Sequence, residues 1–299
     1  MKYEVLDNKS ALHHLKRGRL PYQYEVNPYR GCEHGCKYCF AIYSQDYLND
    51  HNDYFETVYY KKNVIEKLEK ELSSPKWKKE VICFGGIADC YQPLEAKLGL
   101  MREMLKLMIK YRNPVIISTK SILILRDMDL LEELSKVAVV NIAFTITTVD
   151  EKVRRLIEPC ASSSKSRFLA LKELRKTNAV LGVHIMPIIP YLTAGKQNLE
   201  TIYRLSSKIG VDYVLPGVLY LRGKTKNYFY HSIEEWNPEM YLKIKQMYSK
   251  GKADNQFKKN LYDYIHDLER KYAINSNYAE KIKAKENSLM TNQENKLNL

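Results

Sequence analysis

The sequence predicts an α/β fold in which six βα units form an open, partial (β/α)6 barrel. Apolar runs rich in β-branched residues alternate with amphipathic segments through most of the 299 residues, the pattern of a parallel sheet covered by helices. The six units follow one another without a break in composition, which favours an open barrel over a doubly wound sheet. Periodicity alone leaves the order of the strands open.

The predicted strands are short apolar runs that end in a loop. A loop with three cysteines follows the first strand, and the second strand ends immediately before Gly85 and Gly86. Pro114 precedes the third strand, as expected where a strand begins. In chain order the six predicted strands are Tyr22–Asn27, Val81–Phe84, Val115–Ser118, Val137–Thr147, Val180–Ile185 and Tyr213–Tyr220.

The segments between these strands are predicted to be helical, because their apolar residues recur at helical spacing. They run up to Leu72 and then over Leu94–Arg112, Arg126–Lys136, Ser164–Thr177 and Leu199–Ile209. We therefore divide the chain into an N-terminal extension (1–21), a barrel (22–220), a helical C-terminal extension (221–274) and a polar tail (275–299). The tail has few apolar residues and is expected to be a frayed helix or disordered.

Composition narrows the location and the partners of the protein. The N-terminus lacks an apolar run typical of a signal peptide, and no stretch approaches the roughly 20 apolar residues of a membrane span, so we expect a soluble, cytoplasmic protein without a membrane partner. The net charge of +13 favours an anionic partner such as nucleic acid. The charges are spread along predicted helices, and a solvated basic surface is the alternative interpretation.

The most informative stretch is the loop that carries Cys32, Cys36 and Cys39 in a C-x3-C-x2-C pattern. Gly31 and Gly35 can adopt positive φ, which lets the backbone curl around a compact inorganic core. Three thiolates leave one iron of a four-iron cluster free to bind another ligand. Because the loops that follow barrel strands carry active sites, the pattern indicates a catalytic metal cluster.

Two other interpretations of the cysteines remain open. Structural zinc needs four closed ligands, and the loop contains a single C-x2-C pair. His34 lies within the same tight turn, so a zinc site would need a distant fourth ligand such as Cys83. Free cysteines without any metal are the second alternative.

The cysteine loop, with the aromatic Tyr38 before its third cysteine, resembles the hallmark of the radical S-adenosylmethionine (SAM) superfamily. Its surroundings resemble the spore photoproduct lyase-like branch of that superfamily. Further blocks match in the same order, and the resemblance covers residues 22–220 and implies a radical SAM barrel. These blocks are Gly85–Glu95, Ser118–Ser121 with Arg126 and Asp127, and Thr145–Thr148 with Glu158, Pro159 and Arg167.

The resemblance implies a [4Fe-4S] cluster on Cys32, Cys36 and Cys39, with SAM chelated to the fourth iron. One electron, from a reductant such as ferredoxin or flavodoxin, would cleave SAM to a 5′-deoxyadenosyl radical that abstracts a substrate hydrogen. The residues implied to contact SAM are Tyr38 beside the adenine, Gly85, Gly86 and Asp89 at the methionine amino group, Lys120 at the methionine carboxylate, and Thr145 and Thr147 at the ribose or the carboxylate.

The chain departs from the family pattern at the second strand. Spore photoproduct lyase has a hydrogen-donor cysteine in this loop, and Gly86 occupies that position here. Cys90 is therefore a candidate hydrogen donor and Tyr91 a candidate radical relay or substrate contact. A buried structural role is the alternative for both residues. Glu158 and Arg167 are expected to form an ion pair at the barrel mouth or to contact substrate.

Two classes of function follow from these observations. The first is a spore photoproduct lyase-like radical SAM enzyme with an unidentified substrate, with nucleic acid as a candidate; the absent donor cysteine counts against DNA lesion repair itself. The second is an iron-sulfur electron-transfer or nucleic-acid-binding protein that does not cleave SAM. An electron carrier would need neither Lys120 nor the two threonines, and would usually supply a fourth cysteine near the loop.

Overall fold

The computed structural model describes residues 1–16, 20–47 and 54–297. Its strands are β1 (Lys2–Val5), β2 (Leu12–His14), β3 (Tyr24–Val26), β4 (Tyr29–Arg30), β5 (Thr57–Tyr60), β6 (Ile82–Phe84), β7 (Val115–Thr119), β8 (Val140–Thr145), β9 (Val180–Ile188) and β10 (Tyr213–Val218).

The helices alternate with these strands and then continue to the C-terminus. They are α1 (Val64–Leu72), α2 (Glu95–Leu98), α3 (Leu100–Tyr111), α4 (Met128–Val137), α5 (Glu151–Ile157), α6 (Ser164–Leu174), α7 (Lys196–Ile209), α8 (Gly223–Trp236), α9 (Pro238–Met247), α10 (Asn255–Tyr272) and α11 (Tyr278–Leu297). Two 3-10 helices cover Phe40–Tyr47 and Ile122–Asp127. None of the helices in the described ranges has the length and apolar character that crossing a membrane requires.

The main sheet has the strand order β10-β9-β8-β7-β6-β3-β2. From β3 to β10 each strand pairs in parallel with the next strand of this sheet along the chain, and β2 joins the edge in antiparallel orientation. A doubly wound sheet would reverse its strand order at a switch point. The sequential order confirms the predicted partial (β/α)6 barrel.

Both faces of this sheet are covered, which explains why its strands are almost continuously apolar. On the outer face, Val26, Phe84 and Ile117 lie in register and belong to one apolar core with helix residues such as Leu68 and Met101. On the inner face, Glu25, Cys83 and Ile116 lie in register. The inner face therefore contains ionisable side chains beside apolar ones.

The polar C-terminal segment is helical and packs against the inner face. Ile282 of α11 is buried with Cys83 and Ile116, and the ring of Tyr278 lies 5.5 Å from that of Tyr213. The backbone amide of Val214 in β10 donates to the carbonyl of Asn275 at 3.0 Å. A few apolar residues spaced along one side of α11 are thus enough to hold a segment whose composition is mostly polar.

Three features differ from the sequence prediction. The helix expected over Leu94–Arg112 is divided into α2 and α3, because Gly99 adopts a left-handed conformation with φ of 65°. Helix α5 was not predicted; its N-terminus is capped by Asp150, whose carboxylate accepts from the amides of Lys152 and Val153. A second sheet of order β1-β5-β4 was also not predicted.

Candidate functional site

The cysteine loop lies between β4 and the 3-10 helix Phe40–Tyr47, at the end of the first barrel strand. Gly31 and Gly35 adopt φ of 81° and 64°, as the sequence predicts. A Cβ atom on Gly31 would lie 2.2 Å from the carbonyl oxygen of Thr57, so only glycine fits there. Helix α8 covers the loop, with the Thr225 hydroxyl donating to the Cys39 carbonyl at 3.1 Å.

The three cysteines of the loop carry free thiols. Cys32 and Cys36 are buried and Cys39 is partly buried. The thiol of Cys32 accepts hydrogen bonds from the amides of Asp89 and His34, and that of Cys39 accepts from the amides of Ala41 and Ile42. Hydrogen bonds from amides to sulfur stabilise thiolate ligands and tune the potential of iron-sulfur clusters.

The electrostatics of the loop fit a cationic core that binds the sulfur atoms. Burial raises the pKa of the Cys32 thiol to about 12 and raises the pKa of Cys36 and Cys39, against which the positive charge of Lys120 acts. Three thiolates at these positions thus need a positive partner, which iron supplies when bound. The donor set fits a cluster held by three thiolates.

The fourth ligands considered for a zinc site are engaged elsewhere. His34 Nε2 lies 3.0 Å from Asp89 Oδ2, and Cys83 packs on the inner face of β6 with Ile116 and Ile282. Among the residues that the structure describes, no three His, Cys, Asp or Glu side chains are grouped closely enough to hold one metal ion. In a [4Fe-4S] cluster each cysteine binds its own iron, so the thiols need not converge on one ion.

Asp89 connects the cysteine loop to the ends of two barrel strands. Oδ1 accepts from the Thr119 hydroxyl at 2.8 Å and the Tyr91 amide at 2.9 Å, and Oδ2 accepts from the Lys120 amide at 2.8 Å as well as from His34. Burial raises the pKa of Asp89, but the charge and hydrogen bond of His34, together with the amide and charge of Lys120, outweigh burial and keep the pKa below its usual value. Four donors fill the carboxylate's acceptor sites, so Asp89 holds the loop in place instead of presenting a free oxygen.

A second set of contacts, which the sequence analysis missed, fixes the same loop. Gln92 accepts from the Glu33 amide at 3.0 Å and donates to the Gly31 carbonyl at 3.2 Å. Glu33 in turn accepts from the Leu94 amide at 2.6 Å. Gln92 lies inside the block Gly85–Glu95, which supports the family resemblance. Its place in that block was the one indication in the sequence that Gln92 contributes to the site.

Lys120 places a cation beside the thiols. It follows β7 directly, and its Nζ lies 5.8 Å from the centre of the Tyr38 ring. Burial lowers the pKa of Lys120, but the nearby Cys36 and Glu158 outweigh this effect and raise it. No acceptor in the described part of the chain forms a hydrogen bond with this ammonium group, so it is available to an anionic ligand.

Glu158 and Arg167 form the predicted ion pair, at 2.5 Å between Glu158 Oε2 and Arg167 Nη2, and both side chains are fully buried. Glu158 Oε1 accepts from the Tyr38 hydroxyl and from Thr147 Oγ1 at 3.3 Å. Arg167 also donates to the Thr145 carbonyl at 2.7 Å. The pair therefore fixes three residues that the resemblance assigns to SAM, and it engages the hydroxyls of Tyr38 and Thr147.

The Gly85 and Gly86 turn follows β6 at the inner face. Gly85 has φ of 83°, and a Cβ atom there would lie 2.7 Å from the Ala88 carbonyl oxygen. A Cβ atom on Gly86 would lie 2.0 Å from Oε2 of Glu25, which the sequence analysis had not singled out. The buried carboxylate of Glu25 is thus the group that lies against Gly86.

Cys90 and Tyr91 are both buried in the main apolar core. Cys90 is 1% exposed and packs in the apolar core between the sheet and the helices. Tyr91 is fully buried in the same core, where its hydroxyl donates to Asp127 Oδ2 at 3.2 Å. Both side chains are thus enclosed by the core, which corresponds to the buried structural role named above as the alternative.

Comparison with known proteins identifies related chains. Residues 26–205 match the family described as the Radical SAM superfamily. An uncharacterized protein of Mycobacterium tuberculosis is 31% identical over 252 residues, which is 83% of this chain and 74% of the relative. An uncharacterized protein of Methanocaldococcus jannaschii is 30% identical over 219 residues, 73% of this chain and 78% of the relative.

Solved structures share the fold at low sequence identity. Spore photoproduct lyase complexed with dinucleoside spore photoproduct has a TM-score of 0.67 and 13% identity, and the match covers 90% of this chain and 79% of that structure. Streptococcus suis SuiB bound to S-adenosylmethionine has a TM-score of 0.52 and 13% identity, with coverage of 83% and 48%. At these identities the likeness concerns the fold.

Proposed function

Because this chain belongs to the radical SAM superfamily, we propose that it is an enzyme that cleaves SAM reductively at a [4Fe-4S] cluster bound by Cys32, Cys36 and Cys39. The observation that carries the proposal is the arrangement of three thiols, two buried and one partly buried, beside the Lys120 ammonium group, which has no hydrogen-bond partner among the described residues. When bound, the reduced cluster supplies the electron that breaks SAM into methionine and a 5′-deoxyadenosyl radical.

The residues around the loop would bind and orient SAM. We assign the methionine carboxylate to Lys120, since a charge-assisted hydrogen bond would satisfy its ammonium group. Tyr38 would lie beside the adenine, and the hydrogen bond from its hydroxyl to Glu158 would fix the orientation of its ring. Thr145, whose hydroxyl is not engaged by Glu158, is the better of the two threonines for a contact with the ribose or the carboxylate.

The region of Gly85 and Gly86 would receive the methionine amino group. Asp89 is saturated by protein donors, so its contribution would be to fix the loop and the Lys120 backbone. Glu25 supplies a buried carboxylate beside Gly86, which suits a cationic amino group better than Asp89 does. The reductant would be a small electron carrier such as ferredoxin or flavodoxin.

Nucleic acid is the substrate class that we propose to test first. The net charge of +13 favours a polyanion, and the similar spore photoproduct lyase structure contains a dinucleoside ligand. Cys90 and Tyr91 are buried, so we do not retain them as the hydrogen donor or relay in this proposal.

The test is anaerobic reconstitution with iron and sulfide, reduction with dithionite and detection of 5′-deoxyadenosine from added SAM. Cys36→Ala should lose the cluster absorbance and the product, because it removes one of three thiolates. The matched control is Cys160→Ala, which removes an exposed cysteine outside the loop and should retain both.

Two results would overturn the proposal. Full cluster absorbance in Cys36→Ala would remove this residue from the ligand set. A reducible cluster that yields no 5′-deoxyadenosine, with or without single- and double-stranded DNA, would instead support the electron-transfer alternative.

A further inference from the structure

Two cations lie on one face of the small sheet beside the cysteine loop. Arg30 of β4 pairs with Tyr59 of β5 in antiparallel register, and the amide of Lys61 continues the ladder by donating to the Pro28 carbonyl at 3.0 Å. Side chains two residues apart on a strand share a face, so Arg30, Tyr59 and Lys61 project to the same side. Arg30 and Lys61 are diagonal neighbours, about 7–8 Å apart at their Cα atoms.

Neither cation is neutralised by a side chain in the described part of the protein. Arg30 Nε is buried without a hydrogen-bond partner, and within the described ranges neither Arg30 nor Lys61 forms an ion pair. A buried guanidinium donor without a partner is costly, and native proteins rarely leave one unmatched. Among the residues that the structure describes, the small sheet therefore presents two positive charges without an acceptor.

The two charges also act on each other. Burial and the neighbouring charge of Arg30 lower the pKa of Lys61 to about 8, and Glu25 opposes this effect from beyond ion-pair distance. Lys61 still carries its charge at neutral pH. Both side chains are partly exposed, so a ligand can reach them.

The position of the pair connects it with the site described above. Arg30 precedes Cys32 by two residues, and the Cys32 amide donates to the carbonyl of Tyr54 at 3.3 Å. Tyr29, between Pro28 and Arg30, points to the opposite face, where its hydroxyl donates to Glu95 Oε2 at 2.5 Å. Tyr29 thus has a hydrogen-bond partner on its own face of the strand, whereas Arg30 has no ion-pair partner in the described ranges.

We propose that Arg30 and Lys61 form a phosphate-binding subsite that holds the substrate beside the cluster loop. A guanidinium group offers two parallel donors that match phosphate oxygens, and an ammonium group adds a second charge from a flexible stem. Their combined charge matches that of a phosphate group better than that of a single carboxylate. The inference rests on the proposed function only in treating the bound molecule as the substrate.

The experiment is calorimetric titration of the cluster-loaded full chain with inorganic phosphate at pH 7 and fixed ionic strength. Arg30→Gln and Lys61→Met should each weaken phosphate binding about tenfold or more, as expected for the loss of one charge-assisted contact. Lys259→Gln, at an exposed position on α10, is the control of equal charge change and should bind like the unsubstituted protein. Arg30→Lys keeps the charge but loses the paired donors of the guanidinium group, so its affinity should lie between those of Arg30→Gln and the unsubstituted protein.

Equal affinity in the unsubstituted protein, Arg30→Gln and Lys61→Met would overturn the subsite, as would an equal loss in the Lys259 control. Iron content and circular dichroism of each variant separate a lost contact from lost folding. If either Arg30→Gln or Lys61→Met fails to fold, the other variant carries the comparison with the Lys259 control. Because no SAM cleavage is needed, the subsite and the proposed function can fail separately.

Competition then identifies the source of the phosphate group. Displacement by a thymidine dinucleotide would indicate a nucleic-acid phosphodiester, and displacement by ribose 5-phosphate a small phosphomonoester; either supports a substrate subsite. Displacement by neither, or displacement by SAM itself, would overturn it, since SAM competition would assign the two cations to the methionine carboxylate.

Discussion

Replacement of Asp89 by asparagine should strongly destabilise the protein, because this carboxylate joins three separate segments. Its two oxygens accept from His34, Thr119, Tyr91 and Lys120. Asparagine keeps the shape but retains a single acceptor oxygen. Its amide nitrogen would face two donors that no longer have an acceptor.

The size of the effect can be estimated from these contacts. At least two hydrogen bonds to a buried charged acceptor are lost, and each contributes about 1.5–3 kcal/mol. The expected loss in the free energy of unfolding is about 3–5 kcal/mol, the range found when one partner of a buried ionic network is removed. A domain typically has a free energy of unfolding of about 5–15 kcal/mol. Asp89→Asn should therefore remove a large part of the stability of this protein.

The assay is urea unfolding of the cluster-free chain under reducing conditions, followed by circular dichroism. Asp129→Asn is the matched control: its side chain is 61% exposed and pairs with Arg102 at 2.7 Å, so a change of at most about 1 kcal/mol is expected. If Asp89→Asn unfolds within about 1 kcal/mol of the unsubstituted protein, the four contacts do not hold the loop as described.

Two further predictions concern the same end of the barrel. Lys120→Ala should keep the iron content and weaken SAM binding by about 1–3 kcal/mol, measured by equilibrium dialysis against the exposed control Lys165→Ala; unchanged affinity would exclude Lys120 from the SAM site. Gly85→Ala should lower the free energy of unfolding by about 1–3 kcal/mol more than Gly210→Ala. Both glycines have positive φ, but a Cβ atom meets the Ala88 carbonyl only at Gly85, and none of the described atoms lies within 4 Å of one at Gly210; equal losses would show that backbone strain alone matters.

The barrel could be predicted because its strands are buried on both faces. Runs such as Val115–Thr119 contain few polar residues. Between one run and the next lies a segment whose apolar residues recur at helical spacing. The small sheet could not be predicted in this way, since β4 is two residues long and β1 is exposed along its whole length. Strand β1 alternates polar and apolar residues over only four positions, and β4 is too short to show a pattern, so neither strand gives a clear signal in the sequence.

The members of the candidate site were easier to predict than their contacts. The cysteine pattern, Lys120 and the glycine turn are local motifs. The partners of Asp89 come from positions 34, 91, 119 and 120, and no local pattern indicates that these segments meet. Cys90 and Tyr91 show the converse: they are adjacent to Asp89 in sequence, but the turn directs their side chains into the apolar core.

The packing of α11 changes how the end of this chain should be treated in the laboratory. Strand β10 lies at the edge of the main sheet, and exposed strand edges recruit other chains. The Asn275 carbonyl accepts a hydrogen bond from the Val214 amide on that strand, and Ile282 packs against Cys83 and Ile116. A shortened form that stops before residue 275 would expose both the backbone edge of β10 and the apolar residues beneath α11. The polar C-terminal segment therefore protects the protein against aggregation.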